Sequence, residues 1–244
     1  MKKLVTLVLF LFILTSTNVV AFADSKTKIP VLLYHVVTQN PSGTYQFSLT
    51  DFKNDMAYLK KNGYTTLSLN QYYSILNGTA TAPSKPVLLT FDDSTSDFYT
   101  NVYPVLKQYN FKATQFAVTD WLDTNGHLTR AQLQMLSANG IDIANHTINH
   151  QPLNSNWNTQ YSAINNANIK LKSITNNAAN SVAYPYGSYN STTIAVLKNL
   201  GCQGGFTVSG GLSSSANNKY ELPRIIMANG DSVSVFARKL TTGY

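Results

Sequence analysis

Two short motifs carry the residue types that a metal-dependent hydrolase needs. The adjacent acidic residues Asp92 and Asp93 end an apolar run, and His146 and His150 flank three residues after another short apolar stretch. One carboxylate and two imidazoles are a usual ligand set for a catalytic divalent ion that keeps one position open for water. The neighbouring carboxylate is then free to act as a base. The pattern therefore predicts a hydrolytic metal site.

Each motif alone also has a simpler explanation. Adjacent acidic residues after a strand often face the positive end of the next helix dipole, and histidines four residues apart occur on exposed helices that bind no metal. Their joint presence in one chain favours catalysis. His35 follows an apolar run too, and it is either a catalytic acid or a hydrogen-bonded structural group. We assign no role to His127, which lies in a polar segment.

The first 23 residues have the features of a secretory signal peptide. Lys2 and Lys3 form a basic start, residues 4–14 are apolar for the most part, and residues 21–23 (Ala-Phe-Ala) resemble a cleavage site. We therefore predict a signal peptide over residues 1–23 and a secreted or cell-surface protein that keeps no stable membrane span after cleavage. An uncleaved anchor is the alternative, but the apolar stretch is short for a span.

The remaining residues, 24–244, have the length of one large catalytic domain. Cys202 is the only cysteine, so an intrachain disulfide cannot form. The formal charge is +7, which cleavage of the signal peptide would lower to +5, and only 12% of the residues are charged. The basic residues are scattered and not clustered with aromatic residues, which argues against nucleic acid as a partner. We expect a monomer.

Strand-length apolar runs alternate with helical patterns along the whole domain. Helices are predicted by capping pairs such as Ser68 with Gln71 and Thr129 with Gln132. Because most of the runs are apolar on both faces, a parallel sheet covered by helices is expected. At this length we predict a distorted (β/α) TIM-like barrel as a single α/β domain. The predicted strands are residues 29–34, 64–69, 87–91, 113–118, 141–144, 181–184, 205–208 and 223–227.

This topology explains how distant residues could form one site. His35 follows the first predicted strand, Asp92 and Asp93 the third, His146 the fifth and Tyr186 the sixth. The carboxyl ends of barrel strands open onto the same face, where catalytic groups collect. We therefore expect these side chains around one mouth.

Three motifs together resemble those of a known family. Residues 90–93 (Thr-Phe-Asp-Asp), 146–150 (His-Thr-Ile-Asn-His) and 184–187 (Tyr-Pro-Tyr-Gly) match, in order and spacing, the first three motifs of polysaccharide deacetylases of carbohydrate esterase family four. The resemblance covers residues 29–227. It implies a distorted (β/α) barrel and the removal of N-acetyl or, less often, O-acetyl groups from glycans.

The opening of the domain resembles one subgroup, which deacetylates poly-N-acetylglucosamine or related wall glycans. Residues 30–35 (Pro-Val-Leu-Leu-Tyr-His) match its N-terminal histidine motif, and residues 222–225 (Leu-Pro-Arg-Ile) fit as well. In that subgroup an N-terminal histidine replaces a late one, and this chain has no histidine after His150. Two departures are noted. Ser94-Thr95 replaces the family's common Gly-Tyr, and Ala183 replaces an arginine that orients the base, which leaves open what orients Asp92.

The resemblance implies a metal site made of Asp93, His146 and His150. Such a ligand set accepts zinc, cobalt, nickel or manganese, with zinc the first choice. The metal would lower the pKa of a bound water and polarise the acetyl carbonyl.

The same resemblance assigns the catalytic residues. Asp92 would remove the water proton, the backbone N–H of Tyr186 would stabilise the oxyanion, and His35 would protonate the leaving amine. We therefore predict a secreted, metal-dependent N-deacetylase of glycans that contain N-acetylglucosamine. The alternatives are an O-acetyl esterase acting on xylan or wall sugars, and a catalytically silent glycan-binding barrel. Trp121 and Trp157 either stack on sugars or anchor loops.

Overall fold

The computed structural model describes residues 27–244, and parallel strands form the centre of the molecule. Eight of the described strands join one sheet, and a separate pair forms a second. The strands are β1 (Val31–Tyr34), β2 (Val36–Thr38), β3 (Gln46–Ser48), β4 (Thr65–Thr66), β5 (Pro86–Phe91), β6 (Thr114–Ala117), β7 (Asp142–Asn145), β8 (Ser181–Ala183), β9 (Gly204–Phe206) and β10 (Ile225–Ile226).

Helices connect most of these strands. The predicted capping boxes of Ser68 with Gln71 and Thr129 with Gln132 are both present, each with reciprocal hydrogen bonds at a helix start. The α-helices are α1 (Leu49–Lys61), α2 (Leu69–Leu76), α3 (Tyr103–Tyr109), α4 (Arg130–Ala138), α5 (Trp157–Thr175), α6 (Ser191–Asn199) and α7 (Val233–Thr242).

The large sheet curls into a distorted, incompletely closed barrel. Its strand order is β10-β1-β5-β6-β7-β8-β9, all in parallel, and β4 pairs with the start of β5. The ring centroids of Phe116 on β6 and Phe206 on β9 lie 5.3 Å apart, although the two strands β7 and β8 lie between β6 and β9 in the sheet. Leu222, just before β10, forms a bridge with Phe206, so the two sheet edges meet through this segment. The predicted single-domain α/β barrel is confirmed.

The central strands β1, β5, β6 and β8 are buried on both faces, as the apolar runs predict. Val31 and Leu88 belong to a cluster with residues from β6 to β9, on the inner side of the curled sheet. Their neighbours Leu32 and Leu89 belong to another cluster with side chains of α1, α3, α4 and α7. Successive strand residues point to opposite faces, so each strand stabilises both layers.

The structure differs from the predicted strands in two places. The predicted strand 64–69 shrinks to the two residues of β4, because Leu69 already begins α2 behind its Ser68 cap. The short pair β2 and β3 is absent from the prediction, and their parallel pairing holds the loop between them beside the end of β1. That loop ends at Tyr45, which becomes part of the functional site.

The predicted signal peptide, residues 1–23, lies outside the described residues. No helix within 27–244 is both long enough and apolar enough to cross a membrane. Cys202 is buried and free, as expected, and its burial raises the pKa of the thiol to about 11.

One buried acid makes the stability of the fold depend on pH. Asp55 on α1 is 1% exposed and accepts a hydrogen bond from the Tyr34 hydroxyl at 3.3 Å. Burial raises the pKa of its carboxyl from 3.8 to about 8. The folded protein therefore holds this proton more tightly than the unfolded chain. Its contribution to stability is complete below about pH 4 and is lost as pH rises towards 8.

We expect Asp55→Asn to weaken the fall in stability between pH 4 and 8, because the amide keeps the shape and has no proton to lose. Denaturant unfolding at pH 5, 6, 7 and 8 measures the free energy of unfolding of variant and wild type. The free energy of unfolding of the variant, relative to that of the wild type, should increase as pH rises. The control Asp120→Asn, an exposed site, should show no such trend. Parallel pH curves for Asp55→Asn and wild type would contradict the prediction.

Candidate metal centre and active site

The loops after four strands bring all six predicted site residues to one mouth of the barrel. They follow β1, β5, β7 and β8, so they all lie at carboxyl ends of parallel strands, as expected. The mouth holds a cavity of about 370 Å³. Its lining includes His35, Asp92, Asp93, His146, His150 and Tyr186.

Asp93, His146 and His150 converge as a metal-ligating set. The Asp93 Oδ1 atom lies 3.4 Å from His146 Nε2 and 3.3 Å from His150 Nε2, and one ligand atom from each residue lies within 4.8 Å of the others. Asp93 Oδ1 is buried and has no hydrogen-bond partner within residues 27–244. A buried carboxylate oxygen without a partner is costly, and a divalent cation shared with both imidazoles would satisfy it. The residues present therefore fit a metal ion.

The two histidines are held in different ways. His146 is buried, and its Nδ1 pairs with the Ala183 carbonyl at 2.8 Å, which directs Nε2 towards Asp93. Burial lowers the pKa of His146, but the charges of Asp92 and Asp93 outweigh it and raise the pKa above its usual value. The pKa of His150 is lowered to about 4 by burial and by His146. His150 is therefore neutral at pH 7, with a lone pair for a metal.

Asp92 is held by a buried arginine. Arg224 Nη1 donates to Asp92 Oδ1 at 2.7 Å and Nη2 donates to Oδ2 at 2.8 Å, and neither side chain is exposed beyond 3%. Burial alone would raise the pKa of Asp92, but the charges of Arg224 and His146 bring it down to about 2. Asp92 is thus ionised at neutral pH and fixed in orientation, with Oδ2 3.7 Å from His146 Nε2.

Arg224 has no role among the residues predicted from the sequence, although it belongs to the motif at residues 222–225. It lies just before β10, which pairs with β1 beside β5, and so it reaches Asp92 at the end of β5 and holds the base although position 183 is alanine. The Nε of Arg224 donates to the Thr207 carbonyl at 2.9 Å, and its guanidinium lies over the Phe116 ring. An arginine within an apolar run was the signal in the sequence, because such a charge is rarely buried without a partner.

Several residues of the site adopt left-handed backbone conformations. Asp93, Ser94, Thr147, His150 and Tyr186 all have φ between 57° and 73°. Outside glycine this region is sparsely populated, and for a β-branched residue such as Thr147 it is a true outlier. Strain of this kind concentrates at functional sites. These left-handed turns change the direction of the chain after β5, β7 and β8.

Ser94 accounts for the first departure from the family motif. It stands in a left-handed conformation, at φ 57°, where glycine is the easier residue. Its buried hydroxyl accepts a hydrogen bond from the Val118 N–H at 2.9 Å, and its carbonyl accepts one from the Leu128 N–H. These bonds tie the loop after β5 to the loop after β6. The serine therefore keeps the turn that glycine would form.

His35 and Tyr186 both line the cavity, and each packs against another aromatic ring. His35 packs against Tyr45 with ring centroids 4.9 Å apart, and its burial lowers the pKa of the imidazole. Tyr186 packs against His150 at 4.5 Å. The backbone N–H of Tyr186 donates no hydrogen bond within the described part of the chain, so it is available to a ligand.

Two further predictions concern residues near the site. Trp121 lines the cavity and packs between His127 and His150, at 5.0 and 5.1 Å. His127 itself does not line the cavity. Trp157 stacks on Tyr161 at the start of α5, away from the cavity.

Comparisons with known proteins identify the family. Residues 79–205, which include all three motifs, match the family model of polysaccharide deacetylases. The Bacillus subtilis (strain 168) protein YxkH, a polysaccharide deacetylase by name, is 32% identical over 214 residues, which cover 87% of this chain and 76% of YxkH. The chain therefore belongs to the polysaccharide deacetylase family, carbohydrate esterase family four. These enzymes are hydrolases that act on the C–N bonds of acetylated sugars.

Two other relatives agree with this assignment. The poly-beta-1,6-N-acetyl-D-glucosamine N-deacetylase of Staphylococcus aureus (strain MRSA252) is 26% identical over 213 residues, which cover 81% of this chain and 73% of that protein. Among solved structures, the Streptococcus pyogenes deacetylase PplD in complex with acetate superposes with a TM-score of 0.84 at 29% identity. The match covers 88% of this chain and 98% of PplD.

We expect His146→Ala to lose most of its bound divalent metal and nearly all activity while the barrel stays folded. The variant removes one ligand and the imidazole that the Ala183 carbonyl orients. Elemental analysis of the purified proteins measures the metal, and circular dichroism reports the fold. His127→Ala, which removes a histidine outside the cavity, is the matched control and should keep its metal. Equal metal content in wild type and His146→Ala would contradict the ligand assignment.

Proposed function

We propose that this chain is a secreted, metal-dependent N-deacetylase of glycans that contain N-acetylglucosamine. The observation that carries the proposal is the buried Asp93 Oδ1, which lacks a hydrogen-bond partner in the described chain and faces the Nε2 atoms of His146 and His150. This arrangement suits a divalent cation with a position open for water. Asp92, ionised and aligned beside it, supplies a base.

Asp93, His146 and His150 would hold the metal. Two imidazoles and one carboxylate suit zinc, and the same set accepts cobalt, nickel or manganese, so availability decides. A bound divalent ion lowers the pKa of a water molecule and polarises the acetyl carbonyl. The neutral state of His150 at pH 7 favours this binding, because a protonated imidazole has no lone pair to donate.

Amide hydrolysis then needs two proton movements that this chain can make. Asp92 accepts a proton from the attacking water as the water oxygen bonds to the acetyl carbon. His35 donates a proton to the glucosamine nitrogen as the C–N bond breaks, so that acetate and a free amine leave. Burial lowers the pKa of His35, so its protonated form is a stronger acid but is the minor form at pH 7. Water is the only co-reactant consumed.

Two groups stabilise and position the reacting atoms. The backbone N–H of Tyr186, unpaired within the described chain and fixed by the left-handed turn, would donate to the oxyanion. Arg224 is a positioning residue, because its two hydrogen bonds hold the Asp92 carboxylate in one orientation. Catalysis depends on such alignment to within fractions of an ångström.

The relatives support the class of substrate and the location. The Staphylococcus aureus relative is named for poly-beta-1,6-N-acetyl-D-glucosamine, and a polymer of this kind lies outside the cell membrane, where a signal peptide over residues 1–23 would deliver the enzyme.

Acetate release from a panel of glycans tests the function. The metal-loaded wild type should release acetate from poly-N-acetylglucosamine or chitin oligomers faster than from acetylxylan. Asp92→Asn keeps the size of the side chain but removes the proton acceptor, so its rate should fall by about 10²–10⁴-fold while the metal stays bound. Faster release from acetylxylan than from every amide substrate would favour an O-acetyl esterase.

His35→Ala should distinguish amide from ester cleavage. An amine leaves only when it is protonated, whereas the alkoxide of an activated aryl acetate leaves readily. The variant should therefore lose about 100-fold or more in kcat/KM on N-acetylglucosamine oligomers and much less on the aryl acetate. His127→Ala should change neither rate strongly. Normal acetate release from the oligomers by His35→Ala would place the general acid elsewhere.

A further inference from the structure

Exposed apolar side chains concentrate around the mouth of the active-site cavity. Eight large apolar side chains are exposed in the described chain, and four of them line this one cavity. We call these four the apolar rim. They are Tyr45 (63% exposed), Tyr186 (72%), Val208 (37%) and Ile226 (42%). Such a concentration marks a binding surface, because isolated exposed apolar residues scatter without pattern.

The four side chains of the apolar rim carry no charge that could pair with a charged substrate. The cavity lining contains no lysine, arginine or glutamate, and its two aspartates belong to the metal and base positions. Two cations lie behind the rim, and both are already paired. Arg224 binds Asp92, and Lys239 binds both Asp231 and the Ile226 carbonyl. A carboxylate on a flanking sugar would therefore lose its hydration against apolar groups without gaining a partner.

Tyr45 is an exposed aromatic residue of the rim that the proposed mechanism does not use. It ends the loop between β2 and β3, packs one side near His35, and makes no side-chain hydrogen bond within the described chain. Aromatic rings of this kind pack against the C–H faces of sugar rings, which are apolar like the side chains beside them. Its contact with His35 places such a ring beside the proposed general acid.

We propose that the apolar rim selects uncharged N-acetylhexosamine polymers and discriminates against glycans whose neighbouring units carry carboxylates. Tyr45 is its main specificity-determining residue. This inference rests on the proposed function and narrows its substrate class. The positive net charge of the chain would by itself favour anionic polymers, so overall charge and the local rim predict opposite preferences.

The first test compares two oligosaccharides of equal length. One contains only N-acetylglucosamine, and in the other alternate units carry a lactyl ether carboxylate, as in a peptidoglycan strand without peptides. The metal-loaded wild type should prefer the uncharged oligomer by about tenfold or more in kcat/KM, a ratio that corresponds to about 1.4 kcal/mol. Ile226→Lys adds a cation to the rim and should reduce this preference several-fold. Ile169→Lys, on the exposed side of α5, is the matched control and should not.

A second comparison isolates Tyr45. Tyr45→Ala should lower kcat/KM for the uncharged oligomer by about tenfold, the size of one stacking contact, and lower it less for a small aryl acetate that reaches only the metal. Tyr45→Phe keeps the ring and should restore the oligomer rate. Trp157→Ala removes an exposed aromatic residue outside the cavity and should leave the rate unchanged.

The outcomes of these tests distinguish the role of the apolar rim from the proposed function. A wild type that deacetylates both oligosaccharides equally, or prefers the one with carboxylates, overturns the role of the rim and leaves the proposed function intact. So does a Tyr45→Ala variant that loses as much rate on the aryl acetate as on the oligomer. A wild type that binds metal, hydrolyses the aryl acetate and releases acetate from neither oligosaccharide contradicts the proposed function and this inference together.

Discussion

The buried ion pair between Asp92 and Arg224 is the interaction on which the active site depends. Both side chains are almost fully buried, and two hydrogen bonds of 2.7 and 2.8 Å join them. A paired charge in the interior contributes little net stability, but loss of one partner costs about 3–5 kcal/mol because the other charge stays buried. The pair therefore acts as a positional constraint, and it joins the segment before β10 to the end of β5 across the intervening strand β1.

The pair also sets the electrostatics of the neighbouring residues. With Asp92 neutralised by Arg224, Asp93 is the carboxylate left to balance a cation, and its Oδ1 faces both histidines. Burial keeps His150 neutral, while the Ala183 carbonyl fixes the ring of His146. The adjacent aspartates thus have different partners, although they follow the same strand, and this difference is the basis of the two roles proposed for them. Left-handed turns at Asp93 and His150 make this separation sterically feasible.

The buried strands hold the candidate site residues in fixed positions, whereas the apolar rim lies mainly on loops, where the sequence can vary. The strands beneath the site are buried on both faces, which fixes the positions of the residues at their carboxyl ends. The apolar rim comes from loops and from the end of β10, with Tyr45 carried by the small β2–β3 pair. Loops tolerate substitution more readily than a packed sheet. Differences in substrate within one family of barrels can therefore arise at the rim without disturbing the residues proposed to hold a metal.

The amino-acid sequence by itself determined the alternation of strands and helices, because apolar periodicity and capping residues are local signals. Eight predicted strands and two capping boxes appear where the sequence placed them, although the strand predicted over 64–69 keeps only two residues. The sequence also determined which six residues to expect at the mouth, since parallel strands share one carboxyl edge. Only the tertiary structure decided the partner of Asp92. Arg224 lies 132 residues away in the chain, and the contact depends on β10 pairing with β1 next to β5, a long-range pairing that no local pattern encodes. The apolar rim arises in the same way, because Tyr45, Val208 and Ile226 become neighbours only when the barrel edges approach each other.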